Sequence, residues 1–216
     1  MLIVTIRQSK AKRSPIPMDS GYPNVQQKEE QPMPRNDEFQ SLVGALLYIA
    51  VNTRPDIAIS ASILGRKVSR PTEADWTEAK RTLRNLQSTV DWSLRLGSSG
   101  PLEAYVDADW AGDKTDRKSN TGFVFCLGGP ISWAARKQPC VTLSSTEAEY
   151  EALSEANREL MWLMKLLKDV GEPILAPVVV HEDNQSCIAM LKSAGGNNRT
   201  KHIDTRYNFV KEFVGR

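Results

Sequence analysis

The chain lacks the features that mark membrane-spanning, secreted and thiolate-metal proteins. No run approaches the roughly 18 consecutive apolar residues of a membrane helix, and the opening MLIVTI is too short for the core of a signal peptide. The three cysteines lie far apart, without a C-x-x-C pair or a Cys/His cluster of zinc spacing. We therefore expect an intracellular, soluble protein with no membrane partner, in which Cys126, Cys140 and Cys187 are reduced core thiols.

An excess of charge of one sign is also absent. The chain has 28 basic and 26 acidic residues, so the formal net charge is only +2. Bulk charge therefore does not indicate a nucleic-acid partner, and such a partner has to be inferred from local clusters. The length of 216 residues and the apolar fraction of 40% are typical of one sizeable globular domain or two small ones.

Changes in residue pattern divide the chain into three parts. Residues 7–36 are polar and contain five prolines, which predicts an extended or disordered lead-in over residues 1–36. Residues 37–100 carry apolar residues at helical spacing, interrupted at Arg54-Pro55-Asp56 and restarted at Pro71-Thr72-Glu73, so they predict a small helical module. Residues 101–216 begin with strand-like alternation and predict an α/β domain.

The α/β part follows a definite order of elements. LEAYVDAD, TGFVFCL and PISWAARK predict three strands, the last two joined by a turn at Gly128-Gly129-Pro130. A long helix is expected from about Ser144 to Val170, then a strand over PVVVHE, a helix over QSCIAMLK and a last helix over DTRYNFVKEFV. A functional site is expected where the strands end.

Four acidic residues lie where these strands and helices would aim them at one point. They are Asp107 in YVDADW, Glu149 in LSSTEAEY, Asp183 in VHEDNQS and Asp204 in TKHIDTRY. Two hard cations about 4 Å apart need several carboxylate oxygens and can hold the attacking and leaving oxygens of a phosphodiester. The four acids therefore predict a two-cation site in a metal-dependent nuclease.

Helical phase supports Glu149 most directly. The long helix is expected to open with a capping box, Ser144-Ser-Thr-Glu147. At about 100° per residue, the apolar positions between Leu153 and Leu167 fall within roughly 40° of Glu149, which places it on the buried stripe. A buried acid is costly unless it is paired or bound to metal. The alternative is a partly exposed first-turn glutamate favoured by the helix dipole. The other acids of this helix, Glu147, Glu151 and Glu155, are expected to point outward.

The other three acids have simpler explanations. Asp107 fits a strand-end or turn aspartate, and Asp109 on the same strand face is a rival ligand. Asp183 fits a cap of the helix that follows it, and Asp204 fits the same role at the last helix. The order of strands and helices favours the shared site.

The same strings resemble a known family. YVDADWAGDKTDRKSNTGFVF, ISWAARKQPCVTLSSTEAEYEALSEA, VHEDNQSCIAM and NRTKHIDTRYNFVKE are similar to the ribonuclease H domain of copia-type (Pseudoviridae) LTR-retrotransposon Pol polyproteins. Residues 37–100 resemble the segment that connects reverse transcriptase to ribonuclease H there. The resemblance implies a ribonuclease H-like fold with a mixed five-stranded sheet. It also implies hydrolysis of the RNA strand of RNA–DNA hybrids with two Mg²⁺ ions, for which Mn²⁺ is a substitute.

The resemblance also implies roles for particular residues. Asp107, Glu149, Asp183 and Asp204 would bind the metal ions, and His202 is a candidate for proton transfer or product release. Basic residues near the motifs, which include Arg136 and Lys137, are candidates for phosphate contacts. The expected nucleic-acid-binding residues are Arg117, Lys118, Asn120, Ser144, Asn184, Gln185, Arg199 and Lys201.

The chain has no Y-x-D-D string, so we do not expect it to synthesise DNA. We expect a fragment of a Pol polyprotein, or the product of a host gene derived from one, with a reverse transcriptase domain as a partner and a location in cytoplasmic particles or the nucleus. A second hypothesis is a catalytically inactive truncated or domesticated fragment that binds nucleic acid or a protein. A third is another member of the ribonuclease H-like superfamily, such as an integrase or resolvase, which would cleave duplex DNA.

Overall fold

The chain forms two compact units, residues 1–94 and residues 95–216. Each has its own hydrophobic core among the residues with described positions. The division expected from sequence, with boundaries after residues 36 and 100, stays a prediction. The computed structural model describes residues 13–22, 36–97, 100–174, 177–192 and 210.

The first unit is helical, as the spacing of its apolar residues predicts. Helix α1 spans Asp37–Asn52, a 3-10 turn spans Pro55–Ile57, α2 spans Ala58–Gly65 and α3 spans Glu73–Ser88. Thr72 caps α3 in a reciprocal capping box, so this helix begins where the sequence indicates.

Not every apolar residue at helical spacing in α1 is buried. Leu47 is 36% exposed, because the apolar residues of α1 extend beyond the face that the other helices cover. The buried members of α1 are Phe39, Leu42, Val43, Leu46 and Ala50.

Residues 13–22 pack on α3 through hydrogen bonds. The Asn85 side chain donates to the Ser14 carbonyl at 3.1 Å, and the Thr82 hydroxyl donates to the Pro17 carbonyl at 2.8 Å. Both side chains are buried. Because these contacts satisfy polar groups, α3 buries a polar stripe that an apolar pattern search does not detect.

The second unit is built on a mixed sheet. Its strands are β1 (Leu102–Asp109), β2 (Asn120–Leu127), β3 (Pro130–Lys137) and β4 (Val179–His181), in the order β3-β2-β1-β4. The pairs β1–β2 and β2–β3 are antiparallel, and β4 pairs with β1 in parallel. The ribonuclease H-like α/β fold class is therefore confirmed, although four strands are found among the described residues where five were expected. The helices of this unit within the described ranges are α4 (Ser145–Asp169) and α5 (Gln185–Lys192).

Alternation along β1 sets the two faces of the sheet. Leu102, Ala104 and Val106 are buried in the core, whereas Tyr105 and Asp107 are exposed on the opposite face. The long helix α4 covers the core face, to which it contributes a fully buried Tyr150. A polar residue at the end of a strand can thus lie on either face of the sheet, according to its place in the alternation.

The β2–β3 turn requires glycine. Gly129 has φ +154°, a conformation that side chains rarely adopt, and a Cβ there would lie 2.1 Å from the Arg95 carbonyl oxygen. Its own carbonyl accepts a hydrogen bond from the Leu127 N–H at 2.8 Å, which closes the predicted turn.

Two further expectations need correction. The cysteines are not all core residues: Cys187 is buried, Cys126 is half-buried and Cys140 is exposed, because Cys140 lies in the loop that leads to α4. Strand β4 is shorter than PVVVHE, since pairing with β1 covers three residues. Within the described ranges, no helix combines the length and apolar composition that a membrane span requires.

Candidate metal centre

Three of the four predicted acids meet in the second unit. One carboxylate oxygen from each of Asp107, Glu149 and Asp183 lies within 4.8 Å of the others. Asp107 and Asp183 are exposed, whereas Glu149 is 5% exposed. The centre therefore has one buried ligand group and two that face solvent.

Parallel pairing of β1 with β4 brings the two aspartates together. Tyr105 and His181 are partners in the register, and their rings stack with centroids 4.5 Å apart. Asp107 and Asp183 each follow that pair by two residues. Because side chains alternate along a strand, both carboxylates leave the sheet edge on the same side as the stacked rings.

Asp109, the rival of Asp107, is engaged elsewhere. Its carboxylate accepts hydrogen bonds from the backbone N–H of Asn120 and, at 2.7 Å, from the Asn120 side-chain amide. A Cβ at Gly112 would lie 2.2 Å from the Asp109 carboxylate, so the following loop closes over it. Asp109 thus joins the end of β1 to the start of β2. Asp107 is then the acid of β1 that belongs to the cluster.

Glu149 is held in the cluster by α4. Ser144 is the N-cap, and its hydroxyl accepts from the Glu147 N–H at 3.2 Å, so α4 begins as the sequence predicts. Oε2 of Glu149 is buried, and no described group donates a hydrogen bond to it. Burial, followed by the charges of Glu182, Asp107 and Asp183, raises the pKa of Glu149 to about 8, against a smaller opposing effect of a hydrogen bond from the Ala108 backbone.

The other acids of α4 differ from expectation. The Glu147 carboxylate accepts from the Leu143 N–H at 2.6 Å, one residue before the N-cap. Glu151, expected to point outward, is 5% exposed, and the side chain of Glu155 is 12% exposed. Those two assignments are wrong because this part of α4 is buried over more than one face, so a single helical stripe does not describe it.

Asn184 removes the simpler explanation of Asp183. The Asn184 side-chain oxygen accepts from the Cys187 N–H at 2.9 Å and thus caps α5. Asp183 lies one residue before this cap and is exposed at the cluster. Its carboxylate is therefore available to a ligand.

Glu182 is a fourth carboxylate beside the cluster that sequence reasoning missed. Its Oε1 accepts from the Asn184 N–H at 2.9 Å, and its Oε2 is buried without a described hydrogen-bond donor. Burial, together with the charges of Asp183 and Asp107, raises the pKa of Glu182, although backbone hydrogen bonds oppose this. The available signal was its position at the end of β4, directly before Asp183.

The thiol of Cys187 lies beside this group. Cys187 is fully buried, and burial, followed by the charges of Glu182 and Glu149, raises its pKa to about 12. The residue therefore stays a neutral thiol at physiological pH and fills space under the acids as a small apolar group.

The remaining predicted site residues differ in exposure and in the contacts they make. Arg117 and Gln185 are exposed, and Lys118 is half-buried. Asn120 is 6% exposed and binds Asp109, so its amide serves the β1–β2 connection. Ser144 and Asn184 are both helix caps, as described above. Asp204, His202, Arg199 and Lys201 lie outside the described residues.

The loop that carries Arg117 and Lys118 is tied to β3. Lys137 contacts Asp113 at 2.5 Å and Asp116 at 2.8 Å, so its ammonium group is committed to this loop. Burial opposes ionisation of Asp113, but hydrogen bonds from Lys137 and Thr115 lower its pKa to about 2. The neighbouring Arg136 is exposed. This loop therefore presents Arg117 from an anchored backbone.

Comparison with known proteins identifies relatives of the chain. It is 43% identical over 178 residues, 82% of its length, to the retrovirus-related Pol polyprotein from transposon TNT 1-94 of Nicotiana tabacum. It is 38% identical over 185 residues, 84% of its length, to the Pol polyprotein from transposon RE2 of Arabidopsis thaliana. The chain spans 13% of the length of each polyprotein.

Another relative is the secreted RxLR effector protein 161 of Plasmopara viticola, 47% identical over 132 residues, which are 60% of this chain and 93% of that protein. Among solved structures, ribonuclease H1 from Halobacterium salinarum is similar at a TM-score of 0.37 and 18% identity, over 54% of this chain and 80% of that one. No family model matches the chain. Over more than four-fifths of its length, the chain is thus similar to a segment of copia-type retrotransposon Pol polyproteins.

Proposed function

We propose that the second unit hydrolyses the RNA strand of RNA–DNA hybrids with two Mg²⁺ ions, for which Mn²⁺ can substitute. The observation that carries this proposal is the buried Oε2 of Glu149, which lacks a described donor and belongs to a carboxylate grouped with those of Asp107 and Asp183. A carboxylate in such surroundings needs a cation or a proton. All three donors are oxygens, the ligand type that hard divalent cations prefer.

Each acid has a distinct part in this proposal. Glu149 would hold a cation from the second turn of α4, and Asp107 and Asp183 would hold cations from the solvent side, where a phosphodiester can approach. Asp204 would be the fourth ligand, and His202 would assist proton transfer or product release. Bound cations would supply a lower pKa for the attacking water and stabilisation of the leaving 3′-oxygen. The products would carry a 5′-phosphate and a 3′-hydroxyl.

Recognition of the hybrid is proposed to depend on phosphates and 2′-hydroxyls, not on base identity. Arg117, Arg136 and Gln185 support this part of the proposal, because they are exposed and lie on the loop, strand and helix that flank the acids. Asn120, Ser144 and Asn184 would act indirectly, since they hold the elements that present the acids. In the longer polyprotein, a reverse transcriptase domain would supply the hybrid, in a cytoplasmic particle or in the nucleus.

The test is cleavage of an end-labelled RNA–DNA hybrid by the full chain in Mg²⁺. The wild type should cleave the RNA strand, and Asp183→Asn should lose at least 100-fold, since a metal ligand is removed. The matched control is Asp169→Asn, an exposed acid about 30 Å along α4 from Glu149, which should cleave as the wild type does.

Three results would contradict the proposal. They are no cleavage by a folded wild type, equal cleavage by Asp183→Asn, and preferential cleavage of duplex DNA. The first would favour the inactive nucleic-acid-binding fragment, and the last would favour an integrase or resolvase.

A further inference from the structure

We propose that Glu182 is an additional carboxylate ligand of the metal centre, and that its Oε2 binds a divalent cation there. The proposal rests on the proposed metal centre and deepens it. Glu182 belongs to none of the roles derived above from the resemblance or from the pattern of acids.

The first observation is the pair of buried oxygens. Oε2 of Glu182 and Oε2 of Glu149 are each inaccessible to solvent, and neither receives a hydrogen bond from a described group. Glu149 is more than nine-tenths buried and belongs to the acid cluster. A buried carboxylate oxygen without a donor is unfavourable, and a cation in contact with it offsets that cost.

The second observation is the placement of Glu182. Glu182 directly follows His181, the last residue of β4, and directly precedes Asp183 of the acid cluster. Two residues before it, Val180 packs against the core of this unit.

The third observation is the cavity beside the strand ends. Its volume is about 410 Å³, and Glu182 lines it together with Asp107 and Asp183. The stacked pair Tyr105 and His181 also lines it, together with Val106 and Val180. A hydrated cation can therefore approach Glu182 from solvent along Asp107 and Asp183.

One oxygen of Glu182 is already oriented. Its Oε1 accepts from the Asn184 N–H at 2.9 Å, and Asn184 in turn caps α5. This hydrogen bond fixes the plane of the carboxylate and leaves the second oxygen for a ligand.

The test is Mn²⁺ binding by the full chain at fixed pH and ionic strength, measured by titration calorimetry and by the electron paramagnetic resonance of free Mn²⁺. Glu182→Gln should lower the affinity by 10- to 100-fold, as loss of a ligand or its close support does. Glu182→Asp keeps the charge and should recover at least part of that loss.

The matched control is Glu155→Gln. Glu155 also has a buried oxygen without a described hydrogen-bond donor, but it lies about 9 Å along α4 from Glu149, outside the cluster. Its substitution should leave Mn²⁺ affinity within twofold of the wild type. An equal loss in both variants would mean that any half-buried glutamate has this effect, and the proposal would be wrong.

The remaining outcomes separate this inference from the proposed function. Wild-type affinity in folded Glu182→Gln overturns the ligand role, even if the wild type cleaves hybrids. If Glu182→Gln does not fold, Glu182→Asp is compared with the wild type instead. A tenfold loss of Mn²⁺ affinity in a folded Glu182→Asp then supports the ligand role, because the shorter side chain does not reach the cation. Loss of affinity in Glu182→Gln without any hybrid cleavage by the wild type supports the cation site and contradicts the nuclease. A wild type that binds no Mn²⁺ overturns both.

Discussion

Replacing Glu149 by glutamine should stabilise the metal-free protein and abolish its stabilisation by Mg²⁺. In the folded chain, burial, followed by the charges of Glu182, Asp107 and Asp183, raises the pKa of Glu149 from 4.5 to about 8. The folded state therefore binds this proton more tightly than the unfolded state does. Stability must then fall as the pH rises from 4.5 towards 8, which is the opposite of the usual behaviour of a paired carboxylate.

The size of the effect follows from the two pKa values. Each pH unit between them corresponds to at most about 1.4 kcal/mol, so at pH 7 the raised pKa of Glu149 lowers the free energy of unfolding by at most about 3.5 kcal/mol relative to pH 4.5. Glutamine has the same shape and no charge, and its side-chain oxygen can still accept the hydrogen bond from Ala108. Without metal, the variant should match the wild type near pH 4.5 and exceed it progressively up to pH 7.

The assay is urea unfolding followed by tryptophan fluorescence at several pH values, with EDTA and then with Mg²⁺. Asp169→Asn, which removes one exposed charge from the same helix, should follow the wild type throughout. With Mg²⁺ the order should reverse, because cation binding to the native state stabilises the wild type alone. A variant that is less stable than the wild type at pH 7 in EDTA, or a difference that does not change with pH, would refute the reasoning.

Three other substitutions test the framework of the second unit and one tests the first. Gly129→Ala should lower the free energy of unfolding by about 2 kcal/mol or more, because the positive φ of Gly129 and a nearby carbonyl exclude a Cβ. Gly44→Ala, in open space on α1, should raise the free energy of unfolding by about 0.5–1 kcal/mol. Urea unfolding measures both changes, and equal effects would contradict the structure. Asn184→Ala should lose about 1 kcal/mol with its cap, which thermal unfolding would detect, and an unchanged Tm would show that the cap contributes nothing. Lys137→Met should lower the free energy of unfolding by about 1 kcal/mol at pH 7, because it removes the ion pair with Asp113. The low pKa of Asp113 stabilises the fold above the ordinary pKa of an aspartate, and this contribution fades as the pH falls towards 2, so the loss should shrink below pH 4. Parallel acid unfolding curves of variant and wild type would contradict this.

Local patterns were sufficient wherever one face of an element is buried and the other is not. LEAYVDAD and PISWAARK are strands residue for residue, and QSCIAMLK is a helix with the predicted bounds. Helical phase placed Glu149 on the buried side of α4, and Ser144 was identified as its cap. These assignments succeed because alternation and helical periodicity are set by the backbone and by which side faces water.

Patterns failed where burial comes from a distant segment. Glu151 is buried because more than one face of α4 is covered, and the polar stripe of α3 is buried because residues 13–22 lie on it. Leu47 fails in the opposite direction, since no described residues cover its side of α1 completely. A sequence pattern shows how a face is composed, but the packing of other segments decides whether that face is covered.

By itself, the sequence determined the kinds and order of the elements, the family resemblance and the acids at strand ends and on the helix. Tertiary structure decided which acids meet. Asn120 binds Asp109 and leaves Asp107 to the cluster, Asn184 caps α5 in place of Asp183, and Glu182 lines a cavity with both cluster aspartates. The physical reason is that periodicity acts over a few residues, whereas the register of β4 on β1 and the approach of α4 join positions about 30 to 80 residues apart, whose distances no local pattern encodes.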